Sequence, residues 1–387
     1  MSLIINNIKK IYLLKELRNT KFFFRNPPKK KILIFDQISF NYLIDFFRLN
    51  SIKSYFQLDC RLRNLQHIYL SFEIIKKIII YSKFLSLKQA YLLSVIETIS
   101  PRVILTFNEF SKDLSKISIF LKKKSITTIS LQNSDRSHIL YDDQKHNKIN
   151  SDILLSYGEI DKNIYKKNIK NYRFIKPFGS LKLNLAKKFK KKLNKNFKKP
   201  QYDICLIAKR LTNQSDKNLT NTQKKFTKLV KFVAKFAYEN QLKVLVCGKP
   251  YSENYYNLKT EKNFFNQCFK KVDFKYSSSQ TNKYNSYLGV LNSKIIISTN
   301  STLLRESLGE KKKILSLCPN KYNQFLKTGI YHLQDCNYKK FSSHLKKIHN
   351  MTDTSYFSKF DSNFFMKKMN SVSYLNNLIK SLIRKNR

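Results

Sequence analysis

The stretch Ile295–Gly309, IIISTNSTLLRESLG, holds the residues best suited to gripping a phosphate. An apolar run ends at Ser298, a polar turn Thr299-Asn300 follows, and Ser301 stands where a helix would start. A serine there caps the first turn through its hydroxyl, and the unpaired N–H groups of that turn favour an anion. Thr302 and Glu306 are four apart and share one helical face. Thr302 is placed to donate to a phosphate, and Glu306 to accept from ribose or sugar hydroxyls. Gly309 fits a helix C-cap. A capped helix whose Glu306 pairs with Arg305 or a lysine accounts for the same residues structurally.

Three further segments offer chemistry. In Lys176–Asn184, KPFGSLKLN, Gly179-Ser180 follows a strand, and its backbone N–H groups are candidates for a diphosphate; a plain turn into the next segment is the alternative. In Ser130–Arg136, SLQNSDR, the amides Gln132 and Asn133 end a strand and Asp135, Arg136 and His138 follow on a loop. Asp135 or His138 there is a candidate general base for an acceptor hydroxyl, against a merely solvated histidine. Asp36 at the end of KILIFD and Glu109 at a helix start are weaker catalytic candidates. Lys249, in Gly248-Lys249-Pro250, is a candidate phosphate partner, although a single lysine carries little weight in this chain.

These groups need strands that end in loops, and the chain supplies them. Apolar runs KILIFD, RVILTF, ITTISL, DILLSY, DICLIA, LKVLVC, KIIIS and KILSL alternate with helical patterns, the clearest over Phe226–Ala237. Strand–helix alternation implies parallel sheets covered on both faces, with ligands at the carboxyl ends of strands. The lysine-rich stretch 186–200 divides the runs into two sets. The expected fold is α/β, with two Rossmann-like domains facing a cleft, over 31–185 and 201–337. A basic amphipathic segment, 1–30, precedes them, and helices over 338–387 follow. No GxGxxG follows the first strand and no GxxxxGK[ST] occurs, which disfavours ordinary NAD enzymes and P-loop NTPases.

Composition narrows the function classes. The 387 residues carry a net charge of +50, yet Lys, Asn, Ile, Phe and Tyr are raised together while Gly, Pro and Trp are low. That joint drift fits an AT-rich genome better than a nucleic-acid interface, so no specific nucleic acid is expected; anionic partners remain favoured. The six cysteines form no CxxC pair, the six histidines lack metal-ligand spacing, and no metal is expected. No apolar run of 18 residues occurs and Met1–Lys10 lacks a signal-peptide core, so a cytoplasmic protein is expected. Residues 1–30 are read either as a contact with the anionic inner membrane face or as a helix packed on the first domain.

In order, KILIFD, PRVILTFNE, ISLQNSDR, DILLSYGEIDKNIYKK, PFGSLKLN, YDICLIA and IIISTNSTLLRESLGEKKKIL resemble the bacterial surface-carbohydrate biosynthesis proteins with a glycosyltransferase B-like (GT-B) fold. More distantly, they are similar to CDP-glycerol glycerophosphotransferases and UDP-sugar 2-epimerases. The resemblance implies an acceptor-side first domain and a donor-side second domain. A nucleotide-activated sugar would enter as substrate, with no separate cofactor, against Ser301, Thr302 and Glu306, with Gly179 and Ser180 at the cleft. Lys249 and Asn300 flank that donor side. The implied function is metal-independent glycosyl transfer to a glycan or lipid-linked acceptor. CDP-polyol phosphotransfer and a non-catalytic assembly protein are the alternatives. The family places a glycine after Gln-Asn where this chain has Ser134, which would be strained if that position needs a positive φ.

Overall fold

The computed structural model describes residues 20–60, 67–134, 151–168, 172–193, 200–208, 221–248, 258–278, 282–299, 301–317 and 329–384. The first half runs β1 Lys21–Phe23, β2 Ile32–Phe35, α1 Phe40–Leu49, β3 Tyr55–Leu58, β4 His67–Tyr69, α2 Phe72–Tyr81, α3 Leu87–Ile99, β5 Val103–Thr106, α4 Lys112–Lys122, β6 Thr127–Leu131, β7 Ser151–Ser156, α5 Glu159–Asn168, β8 Tyr172–Pro177 and α6 Leu181–Leu193. The second half runs β9 Tyr202–Ile207, α7 Asn221–Glu239, β10 Val244–Gly248, α8 Leu258–Cys268, β11 Phe274–Ser278, α9 Asn285–Leu291, β12 Ser293–Ser298, α10 Thr302–Glu306, β13 Lys313–Leu317, β14 His332–Leu333, α11 Tyr338–Asn350, α12 Asp353–Phe357, α13 Ser362–Phe365 and α14 Ser371–Arg384.

Two six-stranded sheets result, ordered β3-β2-β5-β6-β7-β8 and β11-β10-β9-β12-β13-β14. Every pairing in both is parallel. The central strands are apolar at successive positions because helices cover both faces: ILIF of β2 and VLVCG of β10 are buried throughout. The two Rossmann-like sheets expected from the strand–helix alternation are therefore present. In each, the strand order reverses beside the first strand of the set, between β2 and β5 and between β9 and β12. Crevices at such reversals are where open α/β sheets bind ligands.

Two expectations about organisation change. Helix α6 continues to Leu193 with Ala186 buried, so the first half of the stretch read as a linker is helix. The C-terminal helices do not form one tail. α11 packs Phe341, Leu345 and Ile348 on the second sheet's core, whereas α14 returns to the first, burying Val372, Leu375 and Ile379 beside Val103, Leu105 and Leu181. Ser371 Oγ anchors that return by donating to the Phe178 carbonyl at 2.6 Å. Residues 20–30 of the N-terminal segment contribute a strand, β1, paired in parallel with β4.

Candidate functional site at the meeting of the two domains

The carboxyl ends of the two sheets meet at Ser180 and Glu306. Ser180 caps α6, its Oγ accepting the Leu183 N–H at 3.1 Å, and the same hydroxyl donates to Glu306 Oε1 at 2.7 Å. Ser180, expected at the cleft, thus touches Glu306, expected on the donor side, across the domain boundary. Tyr157 OH, at the end of β7, also approaches that oxygen at 3.5 Å. Tyr287 of α9 bonds the same carboxylate.

Glu306 is 2% exposed. Burial raises its pKa above the ordinary carboxylate value, while the Lys182 charge and these three hydroxyls pull the other way. The hydroxyls respond in kind. Burial and then the Glu306 charge push Tyr157 and Tyr287 far above the usual phenol range. The first cause of that raised carboxylate is desolvation, which is how a carboxyl group is kept poised between charge states inside a protein.

Lys182, the second residue of α6, extends the polar floor towards the first domain. Its Nζ donates to Asn133 Oδ1 and lies 5.2 Å from the ring centres of both Tyr42 and Phe107. Asn133 also accepts from Ser39 Oγ at 2.9 Å. At the reversal of the first sheet, Asp36 sits in the left-handed region at φ 74°. Its carboxylate accepts from the Gln37 N–H at 2.6 Å and from Asn108 Nδ2 at 2.7 Å. A cavity of about 390 Å³ opens beside this corner, lined by Gln37, Ser39, Tyr42, Gln57 and Lys283. Lys283 precedes α9 in the second domain, and its Nζ pairs with Asp45 of α1 at 2.6 Å.

Arg305, the neighbour of Glu306, faces the other way. Its guanidinium forks onto both Asp161 oxygens and also donates to the Phe365 carbonyl at 2.9 and 2.6 Å. Asp161 accepts in addition from Gln132 Nε2 at 2.9 Å and the Gly158 N–H at 3.2 Å. Both partners are buried. The alternative that Glu306 pairs with Arg305 is therefore replaced by an Asp161–Arg305 pair joining α5 to α10.

Several local expectations are corrected. Ser301 makes no side-chain cap. The Leu304 N–H that its hydroxyl would satisfy is bonded to the Ser301 carbonyl at 3.0 Å. α10 has five residues and passes into a 3₁₀ turn over Ser307–Glu310. Its phosphate-holding capacity is correspondingly smaller than that of a long helix. Gly309 is not the C-cap; Lys311 takes the left-handed position, and Gly309 instead leaves room for Met366. Gly179 does not offer its N–H to a ligand, since that group is bonded to the Ser156 and Tyr157 carbonyls. Its φ of 74° and the Lys367 carbonyl 2.3 Å from a would-be Cβ explain the glycine. Gly179→Ala is expected to cost about 2 kcal/mol or more, read as a lowered thermal midpoint; an unchanged midpoint would refute that packing.

Thr302 is half-exposed at the first position of α10. Glu109 is buried, and its charge is felt by Tyr157 and Tyr172. Gln132 is committed to the Asp161 network and, through Oε1, to the Tyr157 N–H at 2.8 Å. Ser134 is not among the positive-φ residues, so the missing family glycine leaves no strain there. Asp135, His138, Lys249 and Asn300 lie outside the described residues. Lys182, Tyr157, Tyr287 and Tyr42 were not singled out by sequence. With 23 tyrosines and 75 Lys and Arg in the chain, no single one carried a signal.

Residues 130–318, just under half of the chain and containing Ser180 and Glu306, match the model of a family described as "putative O-antigen biosynthesis protein". The resemblance read from the sequence is borne out. No curated protein sequence matches the chain. Among solved structures, the wall teichoic acid polymerase TagF has a similar fold, with a TM-score of 0.54 at 12% identity, covering 97% of this chain and 93% of that one. UDP-GlcNAc 2-epimerase from Neisseria meningitidis, solved with UDP-GlcNAc, gives 0.52 at 12% identity, over 90% and 99%. The epimerase from Methanocaldococcus jannaschii gives 0.53 at 13%, over 90% and 99%. These likenesses speak to fold, and with the two parallel sheets they show the GT-B type.

Proposed function

We propose that the protein transfers a sugar from a nucleotide-activated donor to a glycan or lipid-linked acceptor, using the site where Ser180 meets Glu306. The observation that carries this reading is the 2.7 Å contact between those two side chains from opposite domains. A ribose or sugar hydroxyl presents the same donor group to Glu306 as Ser180 does, so a ligand takes over an existing hydrogen bond. Lys182 lies close enough to act on the Glu306 charge, and so to oppose the negative charge of a diphosphate.

In the transfer, the acceptor oxygen bonds to the anomeric carbon as the bond from that carbon to the diphosphate oxygen breaks. The acceptor proton passes to a base, for which Asp135 and His138 are the candidates, and the nucleotide diphosphate leaves. Lys249, Asn300, Ser301 and Thr302 complete the donor side in this proposal. It requires no metal and no further cofactor.

The test is a thermal-shift panel of UDP-, GDP-, CDP- and CMP-sugars together with CDP-glycerol. A ligand that binds only the folded state at a hundredfold excess over its Kd stabilises by about 2.7 kcal/mol. One nucleotide-sugar class is expected to raise the midpoint by several degrees. A flat response to the whole panel defeats the proposal, and a response to CDP-glycerol alone redirects it to polyol-phosphate transfer.

A further inference from the structure

Helix α2 is apolar on both sides. Ile74, Ile78 and Tyr81 face α3 and the first sheet's core, with Ile74 fully buried. Phe72, Ile75 and Ile79, spaced three and four apart, occupy the opposite face and are exposed. Phe84 in the turn after the helix and Leu87, the first residue of α3, are exposed by 74% and 70%, and Phe72 by 85%. Segment 20–26 joins the helix: Asn26 Nδ2 donates to Glu73 at 2.9 Å, Asn26 Oδ1 accepts from Ser71 Oγ, and Phe24 is 80% exposed.

Drift towards lysine has filled outward positions elsewhere. α6, for example, reads LKLNLAKKFKKKL. A contiguous outward row of Phe and Ile in the same chain is a departure from that background, and large exposed apolar patches mark contact surfaces. Exposed cations stand among the apolar groups: Arg25, Lys29, Lys76 and Lys83. The acidic groups at the margin are each held by a lysine, Glu73 by Lys77 and Asp113 by Lys88, both at 2.6 Å. Apolar side chains that insert, with exposed cations beside them, match the boundary between acyl chains and anionic headgroups. No described helix is long and apolar enough to cross a membrane.

We infer that the α2 face, with Phe24, Phe84 and Leu87, is a docking surface for an anionic lipid bilayer. The inference does not rest on the sugar-transfer reading. It places a membrane contact on the first domain's own helix, whereas the sequence alone leaves residues 1–30 open between a membrane contact and a packed helix.

The experiment is co-sedimentation of the full chain, at about 0.15 M salt, with vesicles of phosphatidylglycerol and phosphatidylethanolamine, and in parallel with phosphatidylcholine. The wild-type chain is expected to bind the anionic vesicles and to bind phosphatidylcholine far more weakly. Phe72→Ser/Ile79→Ser/Phe84→Ser is expected to lose about tenfold or more in partitioning. Its thermal midpoint should stay unchanged, because all three side chains are exposed. Equal binding by wild type and the triple variant would leave only net charge at work and overturns the inference. Two further outcomes do the same. One is a solution dimer that the triple substitution dissociates, with no vesicle binding. The other is binding that appears only once residues 1–19 are removed, which would make that segment the face's occupant.

Discussion

Arg305→Met is expected to lower the thermal midpoint by on the order of 10 °C, the largest stability effect of any single change near the site. The substitution keeps an unbranched apolar stem and removes the guanidinium with its charge. Among the described residues, Asp161 then keeps a buried carboxylate with Gln132 Nε2 and the Gly158 N–H to stabilise it, and the Phe365 carbonyl loses the two donors that Arg305 supplies. Breaking a buried pair by removing one partner costs about 3–5 kcal/mol, because the other charge stays desolvated. Asp161→Leu should be damaging for the reciprocal reason. The double variant Asp161→Leu/Arg305→Met is expected to be milder than the sum of the two single changes, since no uncompensated charge remains buried. Calorimetric midpoints of the four proteins decide this. Additive losses would mean that the pair is not coupled and that the fork seen here is incidental. The pair joins α5 of the first domain to α10 of the second, so its loss should also make the midregion more susceptible to limited proteolysis.

The strands that build both sheets were legible because parallel strands buried on two faces read as unbroken apolar runs. KILIFD, RVILTF, IIIS and KILSL needed no other signal. The strands that escaped notice lie at edges: YFQL of β3 and FKYSS of β11 are half-exposed and mix polar with aromatic residues. α2 escaped for the opposite reason, since apolar residues on both faces erase the helical period. The amphipathic C-terminal helix was visible as a helix, but nothing local tells it to cross back to the first domain. That choice is made by the groove around Val103, Phe178 and Leu181, assembled some two hundred residues earlier in the chain.

The site divides along the same line. Ser180 and Glu306 follow strand ends, where chain order alone points to a ligand crevice. Their partners come from β7, α6 and α9, and only the folded chain brings Tyr157, Lys182 and Tyr287 to one carboxylate. The Ser301 cap failed because a backbone carbonyl took the N–H first, a competition that the residue type does not reveal. Arg305 and Glu306, adjacent in sequence, point to different networks. Successive residues on a helix lie on different faces, so adjacency is a poor guide to pairing.

Glu306→Gln should separate stability from function at this site. Burial raises the Glu306 pKa in the folded protein above its unfolded value. The folded state therefore retains a proton that the unfolded state has released. The contribution of this group to stability is fully present below the ordinary glutamate pKa, about 4.3, and is lost as pH rises through the raised value. Glutamine carries no such cost and keeps an oxygen for the Ser180 hydroxyl. Relative to wild type, Glu306→Gln is thus expected to gain stability as pH rises from about 4.3 towards 8. Midpoints measured across that range check the sign; a variant that loses ground with rising pH would mean that the carboxylate is held below its ordinary pKa. Binding should move the other way. A hydrogen bond to a charged group is worth about 1.5–3 kcal/mol, so the variant is expected to bind the responsive nucleotide-sugar roughly ten- to a hundredfold more weakly. A variant that is more stable at pH 8 and yet binds as well as wild type would show that the carboxylate's charge has no part in holding the donor. If stability and affinity fall together, Glu306 is a packing residue of the domain boundary. Only gain in one with loss in the other fits a carboxylate kept buried at a cost because a ligand needs it.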